Sequence, residues 1–141
     1  MSSDIKFMNP PEGKSLVYIV RPSVIGFAIN FTVTCDDITI GKTKGKNFLY
    51  AILNPGPHVF VSKGENSSEL HLILEVGKTY FIEQKVRMGL LYARNKIQLI
   101  NEKEGRNKLD KCNLSKNQNP QSNWIDQKEE REKYSINQEM V

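Results

Sequence analysis

The chain contains few of the residues that usually carry out chemistry. Its 141 residues include two cysteines, two histidines and one tryptophan. Two cysteines allow one disulfide or none, which excludes a disulfide framework. The sequence also has no paired cysteines or histidines at metal-ligand spacing and no glycine-rich phosphate loop. We therefore expect a protein that is not an enzyme and that holds no metal and no cofactor, since no reacting site is visible.

Long apolar runs and a strong charge imbalance are missing as well. No segment approaches the roughly 18 consecutive apolar residues of a membrane helix. The net charge is +4, and it comes from residues 1–100, where 12 Lys and Arg stand against 8 Asp and Glu. Nucleic-acid-binding domains usually carry a larger and more clustered basic excess. We therefore expect no nucleic-acid partner.

The scarce histidines and cysteines have unremarkable positions. His58 follows a turn, and His71 lies on the strand face opposite three leucines, so both are expected to be surface or edge histidines. Cys35 falls in the apolar register of its strand and is expected to be a small buried hydrophobe. Cys112 lies where apolar residues give way to a polar tail, and we expect a loose thiol there.

What the sequence does contain is a succession of short apolar segments with a two-residue period, separated by turn residues. The period predicts half-buried antiparallel strands, and Leu16–Val20, apolar on both faces, predicts a central strand. The predicted strands are Leu16–Val20, Phe27–Cys35, Ile38–Gly41, Asn47–Leu53, His58–Ser62, Leu70–Glu75, Thr79–Val86 and Lys96–Ile100.

Turn chemistry separates these segments. Asp36-Asp37 suits a hairpin turn, Pro55-Gly56 a type II turn, and Gly77-Lys78 a further reversal, while residues 88–91 are expected to form a loop or bulge. Seven to eight short strands at this spacing predict an all-β fold, an antiparallel β-sandwich. Residues 101–109 are compatible with a short helix or a turn.

The composition divides the chain into three parts. Residues 1–12 are expected to be an extended lead-in, because Pro10 and Pro11 exclude a helix there. Residues 13–110 form the predicted β-sandwich. Residues 111–141 are expected to be a polar linker and flexible tail, because residues 115–123 hold no apolar residue. Asp126 with Glu129 can start a short helix in that tail.

Two features of the sequence suggest a function. Lys42, Lys44 and Lys46 alternate, so on one strand they would share a face. They would then form a patch for an anionic surface such as lipid headgroups, or simply protect an edge strand from aggregation, which we favour.

The second feature lies in the tail. Trp124, Ile125 and Tyr134 stand among polar residues, and tryptophan often anchors interfaces. Residues 124–136 are expected either to dock on a partner or back on the sandwich, or to remain disordered without a function.

A family resemblance is carried by four segments: Gly13–Pro22, Thr39–Lys42, Leu53–His58 and Glu75–Phe81. They resemble a domain of unknown function that recurs in bacterial lipoproteins and is similar to PEGA-type β-sandwich modules of the cell envelope. The chain departs from the PEGA pattern at Asp36-Asp37, where Asp-Gly is usual, and at Thr43-Lys44, where Thr-Pro is usual. The resemblance covers about residues 13–110 and brings no catalytic residues.

The resemblance implies a non-enzymatic accessory or structural protein of the bacterial envelope. It would act through protein–protein contacts with other envelope proteins, as part of a larger assembly on the periplasmic side. Membrane attachment would come only from an N-terminal lipid anchor, with Met1 standing where a lipidated cysteine was. Taken as written, the chain has no secretory signal and is expected to be cytoplasmic. The alternative is a module that binds a small ligand or polysaccharide between the sheets, with a cryptic enzyme as a third class.

Overall fold

Two five-stranded sheets and two short helices make up the part of the chain, residues 2–120, that the computed structural model describes. The all-β prediction is confirmed. The elements in chain order are α1 (Ser2–Lys6), β1 (Ser15–Arg21), β2 (Phe31–Cys35), β3 (Ile38–Thr43), β4 (Asn47–Leu53), β5 (Gly56–Lys63), β6 (Ser67–Leu74), β7 (Thr79–Met88), β8 (Ala93–Ile100), α2 (Glu102–Asp110), β9 (Asn113–Leu114) and β10 (Asn117–Gln118).

The strands are arranged in two sheets. Sheet A has the order β8-β7-β1-β4-β9, and sheet B has the order β10-β3-β2-β5-β6. The apolar strand β1 lies at the centre of sheet A, as its composition predicts. It pairs with β4 in the antiparallel direction and with β7 in the parallel direction. The pairing of β4 with β9 is parallel as well, and the other pairings are antiparallel.

Apolar side chains pack in two layers, one on each face of sheet A. Because β1 is buried on both faces, its alternate residues contribute to both layers. The layer between the sheets comprises Val17, Ile19, Val33, Cys35, Ile40, Leu49, Ala51, Leu53, Phe60, Leu74, Ile82 and Ile97. The layer between sheet A and the helices comprises Leu16, Tyr18, Val20, Phe48, Ile52, Phe81, Ile100, Leu109 and Cys112.

The predicted turns are present where their chemistry places them. Asp36 and Asp37 have φ values of 50° and 69°, as a two-residue hairpin between β2 and β3 requires. Gly56 and Gly77 also have positive φ values, and residues 89–92 form the loop between β7 and β8.

The strand predicted over Phe27–Cys35 begins only at Phe31, so the prediction is wrong for residues 27–30. The carbonyls of Gly26 and Ile29 instead accept hydrogen bonds from the Arg21 guanidinium, at 2.8 and 2.6 Å. Gly26 also has a φ of 62°. Arg21 is fully buried and holds residues 22–30 as a compact loop, so this segment cannot pair with a neighbouring strand.

The extended lead-in predicted for residues 1–12 is also wrong at its start, because Ser2–Lys6 forms α1. Ile5 and Met8 pack against the layer between sheet A and the helices. The Ile5 carbonyl accepts a hydrogen bond from the Tyr18 hydroxyl, and the Lys6 carbonyl accepts one from Arg106. Packing therefore orders a segment that its own sequence does not make strongly helical.

The linker predicted from residue 111 begins too early, because β9 and β10 extend sheets A and B. Ser115 is buried, and its hydroxyl donates to the Lys42 carbonyl. Backbone pairing with both sheets orders this segment, together with the packing of Leu114 against the layer between sheet A and the helices. The docking residues Trp124, Ile125 and Tyr134 lie outside the described residues.

Candidate functional site

A buried polar cluster lies at the end of the sandwich where the turn between β2 and β3 is found. We call Cys35, Asp36 and His58 the His58 cluster. The His58 ring is 6% exposed, and its Nδ1 lies 2.6 Å from the Asp36 carboxylate and 3.8 Å from the Cys35 sulfur. Its Nε2 lies 2.7 Å from the Asn54 carbonyl. The expectation of a surface or edge histidine is therefore wrong for His58.

Strand register explains how these residues meet. Cys35 pairs with Phe60 across β2 and β5, so the turn that follows Cys35 faces the start of β5. There the Asp36 carboxylate accepts a hydrogen bond from the Val59 amide at 2.9 Å. A single sequence does not reveal this register, because residues 35 and 58 are brought together only by the pairing of two non-consecutive strands.

The geometry of the His58 cluster does not suit nucleophilic catalysis. In a catalytic triad one ring nitrogen faces the nucleophile and the other faces the orienting carboxylate. Here Cys35 and Asp36 both face Nδ1, while Nε2 faces a carbonyl oxygen. Both ring nitrogens therefore lie within hydrogen-bond distance of an oxygen atom, and neither faces a nucleophile across from the carboxylate. Cys35 is fully buried, as predicted.

The same cluster is the one group of metal-ligand type found within residues 2–120, with its three donor atoms within 4.8 Å of one another. Ligands of one metal ion, each roughly 2.0–2.3 Å from it, stand well over 2.6 Å apart. The 2.6 Å between Nδ1 and the Asp36 oxygen is instead a hydrogen-bond distance. The residues fit a hydrogen-bonded clamp between two turns better than a metal centre.

The remaining histidine and cysteine also have structural surroundings. His71 is 70% exposed, as predicted, and lies 3.3 Å from Glu69. Cys112 is 1% exposed, so the expectation of a loose thiol is wrong. Burial raises the pKa of its thiol to about 11, which makes it a poor nucleophile.

The opposite end of the sandwich presents apolar side chains to solvent. We call residues 22–30, 44–46, 64–66 and 89–92 the loop end. The first of these loops contacts the end of β7 at Gly26, where an added Cβ would lie 3.4 Å from the Met88 sulfur. Leu90 is wholly exposed and Leu91 is 91% exposed. We call the exposed apolar residues here the apolar tip, and they are Val24, Ile25, Phe27, Met88, Leu90 and Leu91.

A cationic surface adjoins the apolar tip. Lys85 pairs with Lys96 and Arg87 with Arg94 across β7 and β8, and all four side chains are exposed on the outer face of sheet A. We call them the cationic face. Within residues 2–120 none of the four forms an ion pair with a carboxylate. These four residues help to line a groove of about 680 Å³.

The three lysines of the predicted anionic-surface patch do not share one strand. β3 ends at Thr43, so Lys42 lies on that strand while Lys44 and Lys46 lie in the turn before β4. All three are exposed, and the Gly45 amide between them donates to the Phe27 carbonyl at 2.9 Å. The turn is therefore part of the loop end. The cationic face was not predicted from the sequence, although the alternation of Lys85 with Arg87 and of Arg94 with Lys96 is a signal for it.

The fold and the site define the class of protein. It is a two-sheet β-sandwich with helices on one face and a buried polar cluster that holds turns together. Among the described residues, no helix combines the length and apolarity needed to cross a bilayer. Residues 11–96 match the family model described as a protein of unknown function, DUF2846. The chain belongs to this family, which confirms the expectation of a domain of unknown function.

A relative from Haemophilus influenzae (strain ATCC 51907 / DSM 11121 / KW20 / Rd), called an uncharacterized protein, is 32% identical over 111 residues. The match covers 78% of this chain and 66% of the relative. The chain thus spans slightly less than two thirds of that protein's length.

Proposed function

We propose that the protein is a non-enzymatic accessory or structural component of the bacterial cell envelope that acts through contacts with other proteins. The observation that carries this is the His58 cluster, in which the buried imidazole is held by Asp36 and the Asn54 carbonyl. The side chains best suited to chemistry thus hold turns together.

The finer parts of this proposal come from the resemblance to lipoprotein domains and PEGA-type modules. They are a periplasmic location, an N-terminal lipid anchor and membership of a larger assembly. The alternative, a small ligand or polysaccharide bound between the sheets, has less support. That interior is filled by apolar side chains such as Val33, Leu49 and Phe60.

The test is co-purification from cells that express the full chain at native levels, with chemical cross-linking before lysis. The expected result is a stable protein partner that is retained at a fixed ratio. Truncation at residue 113 is unsuitable, because β9 and β10 belong to the two sheets. Substitution of Trp124, Ile125 and Tyr134 by alanine in the full chain examines the tail instead, with Gln127→Ala as the control.

Two results bear directly on the proposal. A partner that is lost from the triple variant and kept by the control supports protein contacts through the tail. A chain that is cross-linked to no other protein, or that turns over a substrate in a manner abolished by His58→Ala, contradicts the proposed function.

A further inference from the structure

The loop end combines two features that a sandwich does not need for its own stability. The apolar tip offers six large apolar side chains to solvent, each about half exposed or more. Scattered exposed apolar residues are ordinary, but a contiguous group on adjoining loops marks an interaction surface. Of the four loops at this end, those at 22–30, 44–46 and 89–92 contain no acidic residue, and the loop at 64–66 contains one, Glu65.

The cationic face has an arrangement of charges that lowers the stability of the folded protein. Like charges directly opposite each other on antiparallel strands are destabilising, and here Lys85 faces Lys96 while Arg87 faces Arg94. The next pair on the same face of these strands is Glu83 with Gln98, and the Glu83 carboxylate forms an ion pair with Lys108 at 2.6 Å. The four cations are therefore left without a carboxylate among the described residues, and an anionic partner would remove their mutual repulsion.

The charges lie further back along the strands than the leucines, which indicates a partner with an apolar layer beneath an anionic one. Arg87 and Arg94 stand one residue from the ends of β7 and β8, and Lys85 and Lys96 stand two residues further back, about 7 Å along the strand. Leu90 and Leu91 project beyond them. An apolar tip that enters an interface by roughly 5–10 Å would place the arginines and lysines at the level of anionic headgroups.

We infer that the loop end docks on the surface of a bilayer that contains anionic lipid. The apolar tip inserts between the headgroups, and the cationic face contacts their phosphates. Charge complementarity favours this occupant, because the loop end and the cationic face together carry six cationic side chains against one carboxylate, Glu65. The docking does not depend on the protein contacts proposed above and involves different residues.

The test is binding of the full chain to vesicles, measured by co-sedimentation across a salt series. One set of vesicles contains phosphatidylcholine alone, and the other contains phosphatidylcholine and phosphatidylglycerol in equal parts. The expected result is binding to the anionic vesicles that weakens as salt rises, with little binding to the neutral ones. Binding to neither, or to both equally, overturns the inference.

Two pairs of variants separate the apolar and charged contributions. Leu90→Ser with Leu91→Ser is expected to weaken binding at least roughly tenfold, whereas Ile73→Ser, at a position 76% exposed on β6, should have no effect. Arg87→Gln with Arg94→Gln is expected to weaken binding roughly 30-fold. Lys78→Gln with Lys103→Gln removes the same charge far from the loop end and should cause much less loss.

Equal losses from the test variants and their controls would overturn the inference, because non-specific attraction would then explain the binding. A second outcome assigns the surface to another occupant. If the chain self-associates in sedimentation without lipid, loses this with Leu90→Ser and Leu91→Ser, and ignores both kinds of vesicle, the loop end is an interface between two copies. The vesicle measurement includes no other protein, so its failure leaves the proposed protein contacts untouched.

Discussion

At the scale of single residues, the protein uses its rare polar side chains to join turns. His58 connects the Asp36-Asp37 turn to Asn54, two segments that are separated by more than 15 positions in the sequence. Arg21 does the same at the other end, donating to the carbonyls of Gly26, Ile29 and Thr43. Burial lowers the Arg21 pKa to about 10, so this side chain remains charged at neutral pH.

His58→Ala is expected to lower the free energy of unfolding by about 2–4 kcal/mol, because it removes two buried hydrogen bonds, one of them to a carboxylate. His71→Ala is the matched control, since its ring is largely exposed and surface substitutions usually change stability by less than about 0.5 kcal/mol. Urea denaturation of both variants measures the difference. Equal stabilities of the two variants would contradict a clamping role for His58.

Cys112 gives a prediction about pH. Burial raises the thiol pKa from 9.0 to about 11, so the unfolded chain ionises first as pH rises. The stability from this group is therefore complete below about pH 9 and is lost between pH 9 and 11, by roughly 2–3 kcal/mol. Denaturation of the wild type and Cys112→Ala across this range measures the loss, and the difference between them cancels the titration of lysines and tyrosines. Parallel pH profiles would show that Cys112 is not the source.

At the scale of elements, α2 shows how packing overrides intrinsic preference. Its N-cap is favourable, because the Asn101 side chain accepts a hydrogen bond from the Glu104 amide at 2.8 Å. Gly105 then lies in the middle of the helix, although glycine disfavours helices. The reason is contact with sheet A, since an added Cβ at this position would lie 2.1 Å from the Phe81 ring.

Gly105→Ala is accordingly expected to destabilise the protein by about 1–3 kcal/mol, although alanine is the better helix former. Asn107→Ala tests the opposite effect at an exposed position of the same helix and should be neutral or stabilising by less than about 1 kcal/mol. Urea denaturation measures both. A more stable Gly105→Ala protein would mean that α2 does not pack as closely on Phe81.

The elements also show how far the sequence predicts the fold. Strands and turns whose signals lie within a few residues were predictable, as Asn47–Leu53 and the Asp36-Asp37 turn demonstrate. The error at Phe27 arose because Arg21 takes the carbonyls that a strand would have used. The two-residue strands β9 and β10 have no period that a sequence could display.

The candidate sites follow the same rule. The His58 cluster depends on the pairing of β2 with β5, and the apolar tip depends on the contact of the loop at 22–30 with the end of β7. Both features depend on contacts between residues that are far apart in the chain, and a single sequence does not reveal such contacts. The cationic face differs, because its signal is a two-residue period on one hairpin. It was missed because the predicted strands ended at Val86 and began at Lys96, which left out Arg87 and Arg94.

At the scale of the whole molecule, the two sheets are joined along both open sides of the sandwich. On one side Asn66 and Asn95 exchange hydrogen bonds between backbone and side chain, and the Ser68 hydroxyl accepts from the Ile97 amide. On the other side β9 joins sheet A and β10 joins sheet B. The edges of β3 and β4 are thereby covered, which protects them from pairing with another chain.

The Gln118 side chain completes the cover over the edge of β4. Removal of this side chain is the most direct test of that cover. The side-chain amide accepts from the Tyr50 amide at 3.0 Å and donates to the Tyr50 carbonyl at 2.9 Å, as a strand residue would. Gln118→Ala is expected to cost about 1–2 kcal/mol and to accelerate hydrogen exchange at the Tyr50 amide, while the amides between β5 and β6 keep their protection.

Lys116→Ala is the control for this measurement, because that side chain is exposed and lies between the same two short strands. It should leave both stability and the Tyr50 exchange rate unchanged. If Gln118→Ala also leaves the Tyr50 amide protected, the segment after Cys112 does not close sheet A in solution. The edge of β4 would then be open, and the sandwich would have to protect that edge by other means.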